Sequence, residues 1–424
     1  MVLLPETFTE SCRQTMGDAL FERYMRSFDE PVPVSIRTNP AKTGGGRRDK
    51  GDRGSDSICG RFAVAGGKPV PWCRNGYYLS ERPAFTMDPL LHAGCYYVQE
   101  AASMFLDEVL RQYLPAIAGE DAALNALDMC AAPGGKTTLL WSALPAGSTL
   151  YANEPVRQRA SVLAENCMKW CGAEIIVTNN YPADYVSARM LFDVILCDVP
   201  CSGEGMFRKD AQTIQEWSEA SVQKCARLGR EIVADAWRCL RDGGLLVFST
   251  CTLNTHENEE NVRWLISELG AEVLPVEVQP EWNITGSLLP GFAEPVYRFI
   301  PGVTQGEGLF MAVLRKPGHA AGGSRKAAKG ILKTVDAPLL YDAALPSVEL
   351  SYQQAMAFLR REALTLPQDA PRGLLTVCFG GFPLGQVKNI GTRANNLYPK
   401  EWKIKTTHVP SEYSPTLIPI TDNR

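Results

Sequence analysis

Between residues 97 and 316, short apolar runs alternate with longer stretches of helical periodicity, a spacing that predicts strands and helices in regular succession. Five runs, 124–129, 149–153, 174–178, 192–197 and 244–249, are almost continuously apolar, as strands buried on both faces of a parallel sheet are. Helices fit at about 136–144, 155–171, 218–240 and 258–269. Pro155 suits a first helical turn, and Asp242-Gly243-Gly244 stops a helix and turns the chain into a strand. Segments near 272–278 and 309–315 complete the sheet. The expected architecture is a seven-stranded, doubly wound α/β domain.

Outside this block the pattern changes. Residues 317–336 combine Gly318, Gly322, Gly323 and Ser324 with six lysines and arginines between Arg315 and Lys333, which reads as a linker. Four parts follow: a small α+β domain at 1–96, the central domain at 97–316, the linker at 317–336 and a carboxyl-terminal domain at 337–424. A Gly-rich basic insertion at 44–56 reads as a long loop within the first. A chain of 424 residues, 45% hydrophobic, suffices for two or three cores.

Composition narrows the classes. No run of about 18 uncharged apolar residues is present, and Met1-Val2-Leu3-Leu4-Pro5-Glu6 lacks the basic and apolar regions of a signal peptide, so no membrane association and a cytoplasmic location are expected. The thirteen cysteines are then reduced thiols. A net charge of -4 argues against unspecific coating of nucleic acid but leaves room for a local basic face. Lys42–Arg53 and Arg315–Lys333 could supply one; solvated, flexible connections are the favoured reading, RNA contact the alternative.

Candidate chemistry gathers at strand ends, where open α/β sheets bind their ligands. After the first strand, Asp128-Met129-Cys130-Ala131-Ala132-Pro133-Gly134-Gly135-Lys136-Thr137 forms a small-residue loop opening a helix. A P-loop would need glycine where Cys130 stands, and the dinucleotide fingerprint cannot be fitted. Glu154 at the end of the second strand can bind ribose hydroxyls, so the loop and acid together fit S-adenosylmethionine better than NAD. Cys201, in Asp198-Val199-Pro200-Cys201-Ser202-Gly203, and Cys251, in Ser249-Thr250-Cys251-Thr252, follow the fourth and fifth strands. Two thiols in one cleft suit methylation of cytosine at carbon 5, where thiolate addition to carbon 6 makes carbon 5 nucleophilic. Asp198 is placed to hydrogen-bond the pyrimidine edge as charge builds there. Each cysteine alone could be a small buried hydrophobe. Zinc is disfavoured, because Cys167, Cys171, Cys197 and Cys201 do not converge, and no metal is expected.

These segments resemble the Sun/NSUN family of RNA (cytosine-5) methyltransferases and, within it, RsmF-type enzymes of small-subunit ribosomal RNA. The likeness lies in Cys130-Ala131-Ala132-Pro133-Gly134-Gly135-Lys136, in Pro200-Cys201-Ser202-Gly203-Glu204-Gly205-Met206-Phe207-Arg208-Lys209, and in Ser249-Thr250-Cys251-Thr252 followed by Glu257-Asn258-Glu259. Tyr97-Val98-Gln99-Glu100 and Leu3-Leu4-Pro5 with Arg37 and Asn39 extend it over residues 1 to 316. The resemblance implies a Rossmann-like methyltransferase domain in which Cys251 attacks carbon 6 and Cys201 assists elimination afterwards. It implies S-adenosylmethionine held by Cys130, Ala131, Ala132, Pro133, Gly134, Gly135, Lys136 and Glu154, with Asp198 shared between cofactor and base. The family has an acid after the third strand; this chain has Asn180, with Asp184 further on. Val199 and Gly229 replace a usual alanine and glutamine.

The segment 337–424 resembles the PUA-like module of RsmF-type enzymes, through Gly385-Gln386-Val387-Lys388, Arg393-Ala394-Asn395-Asn396-Leu397-Tyr398-Pro399 and Trp402-Lys403-Ile404-Lys405. Basic residues interleaved with Tyr398 and Trp402 could hold phosphates and stack unpaired bases. The implied partner is RNA, 16S rRNA or the small ribosomal subunit. The same chemistry on tRNA, or a non-catalytic role in ribosome assembly, are the alternatives.

Overall fold

The computed structural model describes residues 3–44, 62–119, 123–318, 332–406 and 408–420. The insertion expected at 44–56, apart from Gly44, and most of the linker expected at 317–336 lie outside them.

The central sheet holds β1 (Asn125–Asp128), β2 (Thr149–Asn153), β3 (Ile175–Thr178), β4 (Phe192–Asp198), β5 (Leu240–Thr250), β6 (Glu272–Val273), β7 (Val296–Phe299) and β8 (Leu309–Arg315). Their order is β6-β8-β5-β4-β1-β2-β3, with β7 also paired to β8. Strands β1 to β5 are mutually parallel and β8 runs antiparallel to β5. The seventh position is divided: β6 meets Leu314 and Arg315, while β7 meets Leu309 to Ala312 on the same edge of β8. Strand β7 escapes the sequence pattern because Arg298 sits inside it, although all four of its residues are buried. Side chains alternate across the sheet: Val194 and Leu196 of β4 enter one apolar layer, Ile195 and Cys197 the other.

Helices flanking the strands include α1 (Gly135–Ala143), α2 (Arg157–Cys171), α3 (Glu219–Cys239) and α4 (Glu259–Leu269). Pro155 stands outside α2 rather than in its first turn, since Glu154 accepts the Val156 N–H at 2.8 Å and folds residues 154–156 into a turn. The stop expected at Asp242 comes earlier. Helix α3 ends at Cys239, and Asp242 to Gly244 form an irregularity in β5 between Leu240 and Leu245, with Gly243 at φ +77°.

The amino-terminal sheet orders Lys68–Pro69, Gly76–Leu79, Val34–Thr38 and Tyr96–Val98. Tyr96 therefore opens a strand paired with Val34–Thr38, and the chain leaves this sheet beyond Val98. Arg37 helps tie this sheet to the central domain. The buried guanidinium donates to Gln99 Oε1 at 2.7 Å, to Thr138 Oγ1 at 2.6 Å and to Gly135 O at 3.1 Å, and lies 4.4 Å from the Trp170 ring.

The carboxyl-terminal sheet (Ser347–Glu349, Gly373–Phe379, Phe382–Asn389, Ala394–Asn396) carries the helix Tyr352–Leu359. Its core is continuous with that of the amino-terminal domain: Ile36, Phe85, Leu90 and Tyr96 pack in one cluster with Leu340, Phe358, Leu375 and Leu384. The strand Leu417–Pro419 closes the union by pairing with Phe62–Val64.

The most deeply buried ion pair joins β7 to α4. Arg298 and Glu259 are fully buried; Arg298 Nε donates to Glu259 Oε1 at 2.7 Å, and Nη2 contacts Oε2. Breaking a buried pair from one side strands a charge, at a cost of about 3–5 kcal/mol. Arg298→Met is expected to lower the melting temperature sharply, and Arg298→Met/Glu259→Leu to recover part of the loss; thermal unfolding followed by circular dichroism checks both.

Candidate active site

The loop from Cys130 to Gly135 joins β1 to α1. It is held from both neighbouring strands: Met129 N donates to Leu196 O at 2.9 Å and Ala131 N to Asn153 O at 2.8 Å. Gly134 caps α1 at φ +115°, a left-handed conformation that favours glycine, and a Cβ there would meet Leu163 at 3.3 Å. Behind the loop, Asp128 accepts from Thr137 Oγ1 at 2.7 Å, while its other oxygen is buried without a hydrogen-bond partner. Burial pushes this carboxyl up to about 7, against the Thr137 bond. Cys130 is a neutral thiol, raised chiefly by burial.

Glu154, at the end of β2, is nearly inaccessible and pairs with Arg159 of α2 at 3.1 Å. Arg159 also donates to Ala132 O at 3.1 Å, bridging the acid to the small-residue loop. Arg159 carries no motif of its own in the sequence; its only signal is its place in the first turn of α2, after an acid at a strand end. A small-residue loop, a carboxylate beyond the next strand and a buried acceptor lacking a donor fit S-adenosylmethionine, whose ribose hydroxyls and ammonium group are donors.

Asn180 is placed differently from the expected cofactor contact. Its Nδ2 donates to Lys333 O at 2.9 Å and its Oδ1 accepts from Lys333 N at 3.0 Å. Asn179 N reaches the same carbonyl at 2.9 Å, and Val335 N donates to Val177 O at 2.9 Å, so residues 333–335 run along the free edge of β3. The Asn180 amide thus fastens the returning chain. Asp184 caps the following short helix by accepting from Tyr181 N at 2.9 Å.

Strands β4 and β5 deliver the thiols. Ser249 lies opposite Asp198 in the parallel register, and Ser249 Oγ donates to Asp198 Oδ1 at 2.6 Å. Asp198 Oδ2 takes the ammonium of Lys136, from the first turn of α1, at 2.8 Å. Burial lowers the Lys136 pKa, but the Asp198 charge and hydrogen bond outweigh it and the net shift is upward. Past the strand ends the two sulfurs of Cys201 and Cys251 lie 3.2 Å apart. They are not equivalent. The hydrogen bond from the Cys201 thiol pulls the Cys251 pKa below the ordinary thiol value, and Lys136 adds to this against burial and Asp198. Cys201 is raised, by that same bond and by burial. Both shifts run the same way, lowering the thiol pKa at Cys251 and raising it at Cys201.

Below the sulfurs lies a polar network that the sequence suggested only through its motif blocks. Glu257 accepts from Ser202 N at 2.9 Å, Ser202 Oγ at 2.5 Å and Asn254 Nδ2 at 2.7 Å, and burial brings its carboxyl up to about 7.

Elsewhere two expectations change. Tyr398 is 1% exposed and packs edge-on against Phe358, so it belongs to the carboxyl-terminal core and cannot stack a base. Trp402 is half-buried, with Lys169 of α2 at 5.7 Å from its ring. Of the two basic stretches, Lys42 is consumed in structure, donating to Ala93 O and Lys169 O at 2.6 Å each, and Arg315 pairs with Glu272. Among the described residues, no group of three or more His, Cys, Asp or Glu side chains is arranged to hold a metal.

Three family models tile the chain: the N-terminal domain of 16S rRNA methyltransferase RsmF over residues 4–101, 16S rRNA methyltransferase RsmB/F over 117–315, and the methyltransferase RsmF PUA domain over 345–404. The chain belongs to the RsmB/F family. Its relatives include proteins named ribosomal RNA small subunit methyltransferase F. That of Erwinia tasmaniensis is 33% identical over 74% of this chain, a match spanning 64% of its own length. The Klebsiella pneumoniae protein is 29% identical over 94% of this chain and 96% of its own. A solved methyltransferase homolog from Pyrococcus horikoshii has 25% identity and a TM-score of 0.58, covering 74% of this chain and 95% of that one. NSun6 from the same organism, solved with SFG, shares the fold at 19% identity and TM-score 0.56, over 74% of this chain and 99% of its own.

The RsmB/F site makes a prediction that needs no substrate. Alkylation by iodoacetamide follows the thiolate, so Cys251 should react before Cys201 and keep reacting as pH falls below the ordinary thiol range. Removing the donor in Cys201→Ala should move the Cys251 profile to higher pH, and Lys136→Met should do the same. Peptide mass mapping against pH reads both, and equal reactivity of the two thiols would contradict the assignment.

Proposed function

We propose that this protein methylates carbon 5 of a cytosine in 16S rRNA, with Cys251 as nucleophile and Cys201 serving the release step. The observation that carries the reading is the pair of unequal sulfurs 3.2 Å apart at adjacent strand ends. Cys251 adds as thiolate to carbon 6 of the ring, and the ring electrons move to carbon 5. Asp198, paired with Lys136 and fixed by Ser249, accepts from the base's amino group and orients the ring over the sulfur. S-adenosylmethionine, bound between the Cys130–Gly135 loop and Glu154, supplies the methyl group. The carbon 5 proton then leaves to solvent, its electron pair restores the double bond and expels Cys251 as thiolate, and the Cys201 thiol assists this release by donating its hydrogen bond to the departing sulfur.

Support for an RNA substrate comes from the family models, which name 16S rRNA methyltransferases and a PUA domain. The relatives named small subunit methyltransferase F favour rRNA, and the SFG in the NSun6 structure, a SAM analogue, favours the cofactor. None of the described helices is long and apolar enough to cross a membrane, and the reading places the protein with ribosomal RNA in the cytoplasm.

Bisulfite sequencing of total RNA from cells with and without the gene tests the reading, repeated with purified protein, cofactor and isolated small subunits. One or a few small-subunit rRNA signals should vanish and return with wild-type protein but not with Cys251→Ala. A lost tRNA signal with unchanged rRNA would move the substrate. Cys201→Ala should instead give a protein–RNA adduct stable in denaturing gels; normal turnover without trapping would remove Cys201 from the release step.

A further inference from the structure

The loops bearing the two thiols meet through a carboxylate that the reaction as written does not use. Glu204, three residues after Cys201, is 2% exposed. Its Oε2 accepts from Leu253 N at 2.8 Å and Asn254 N at 2.9 Å, and its Oε1 from Asn254 Nδ2 and Trp217 Nε1, each at 3.0 Å. A carboxylate offers about four acceptor positions, and here three are filled from the turn that follows Cys251. The next residue continues the junction. Gly205 N donates to Cys251 O at 2.9 Å, and a Cβ on Gly205 would lie 2.4 Å from Gly308 O and 2.9 Å from Cys251 O. On the opposite side of the same turn, Arg298 Nη1 takes Leu253 O at 2.6 Å. The Leu253–Asn254 segment is therefore held by its N–H groups from the Cys201 loop and by a carbonyl from β7. Cys201 Sγ in turn accepts the Cys251 N–H at 3.3 Å.

We propose that Glu204 is a positioning residue whose carboxylate locks the Cys201 loop onto the Cys251 turn and thereby sets the sulfur-to-sulfur contact. The importance of the contact rests on the methyltransferase reading; its existence and its dependence on Glu204 do not. Hydrogen bonds to a charged group are the strong ones, and a neutral amide would turn a donor toward donors. In Glu204→Gln at least two of the four bonds are lost, and the turn is free to carry Cys251 away from Cys201. The Ser202–Glu257 link remains, so the loops stay folded but lose their register.

The test measures the contact in the full chain without RNA or cofactor. Diamide closes neighbouring thiols into a disulfide at a rate that depends on their approach, and peptide mapping follows the Cys201–Cys251 product. Glu204→Gln should slow closure about tenfold or more, as loss of at least two hydrogen bonds to the carboxylate requires. It should also move Cys251 alkylation to higher pH, because the Cys201 thiol no longer donates. Trp217→Phe, which deletes one donor and no charge, should slow closure less; it carries the test if Glu204→Gln does not fold. Gly94→Ala, whose Cβ would strike Lys169 O at 1.9 Å far along the chain from both thiols, controls for general destabilisation and should close at the wild-type rate. Unchanged closure and alkylation in the folded Glu204 or Trp217 variant, or equal slowing in Gly94→Ala, would overturn the proposal. Failure of RNA methylation with these thiol effects intact would instead count against the function alone.

Discussion

Parallel pairing of β4 with β5 sets Ser249 beside Asp198, and the chemistry of the molecule depends on that register. It brings two strand ends to one level, so that Cys201, three residues past Asp198, and Cys251, two past Ser249, can meet. A slip by one residue would exchange the faces of the sheet and send one sulfur away from the other. The register is enforced from both layers, since Val247 and Leu196 lie in one core and Phe248 and Cys197 in the other. Burial of ordinary aliphatic side chains thus fixes a distance between two sulfur atoms.

Proximity alone would leave two similar thiols competing for one charge. The asymmetry comes from what surrounds them. The hydrogen bond between the sulfurs lowers the Cys251 pKa most, and Lys136, which reaches Asp198 from α1, adds its positive charge to the same effect. Lys136 is held in turn by the start of α1, where Arg37 grips Gly135 O and Thr138 Oγ1. A side chain of the amino-terminal sheet therefore bears on the charge distribution at the site through one helical turn.

Much of this was legible in the sequence, for physical reasons that also mark the failures. Strands β2 and β8 keep the bounds expected of them because their apolar runs end at charged or polar residues, Asn153 and Arg315. Strand β7 was invisible because its identity depends on Glu259, a distant residue that neutralises Arg298. Cys201, Cys251, Asp198 and the Cys130–Lys136 loop stood out as polar or small residues at the ends of apolar strands. Arg159, Glu204 and Glu257 did not, since their significance lies in partners brought by tertiary folding. Tyr398 was misjudged for the same reason in reverse: basic neighbours in sequence suggested an exposed ring, whereas the fold turns it against Phe358.

The two outer domains, separated in sequence by the whole central domain, behave as one body because neither completes a core alone. Phe358, Leu375 and Leu384 of the carboxyl-terminal part pack with Ile36, Leu90 and Tyr96 of the amino-terminal part. Asp88 joins them further, accepting from Tyr96 Oη at 2.8 Å and Tyr413 Oη at 2.9 Å. This body is tied to the central domain through Arg37 at α1, through Asn39 and Lys42 at the carboxyl end of α2, and through residues 333–335 along β3, where Asn180 secures Lys333. Arg37 reaches α1, which opens directly from the Cys130–Gly135 loop, whereas residues 333–335 line β3 at the edge of the sheet. The outer body is thereby held against the same α1 whose first turn carries Lys136 to Asp198 beside the thiols.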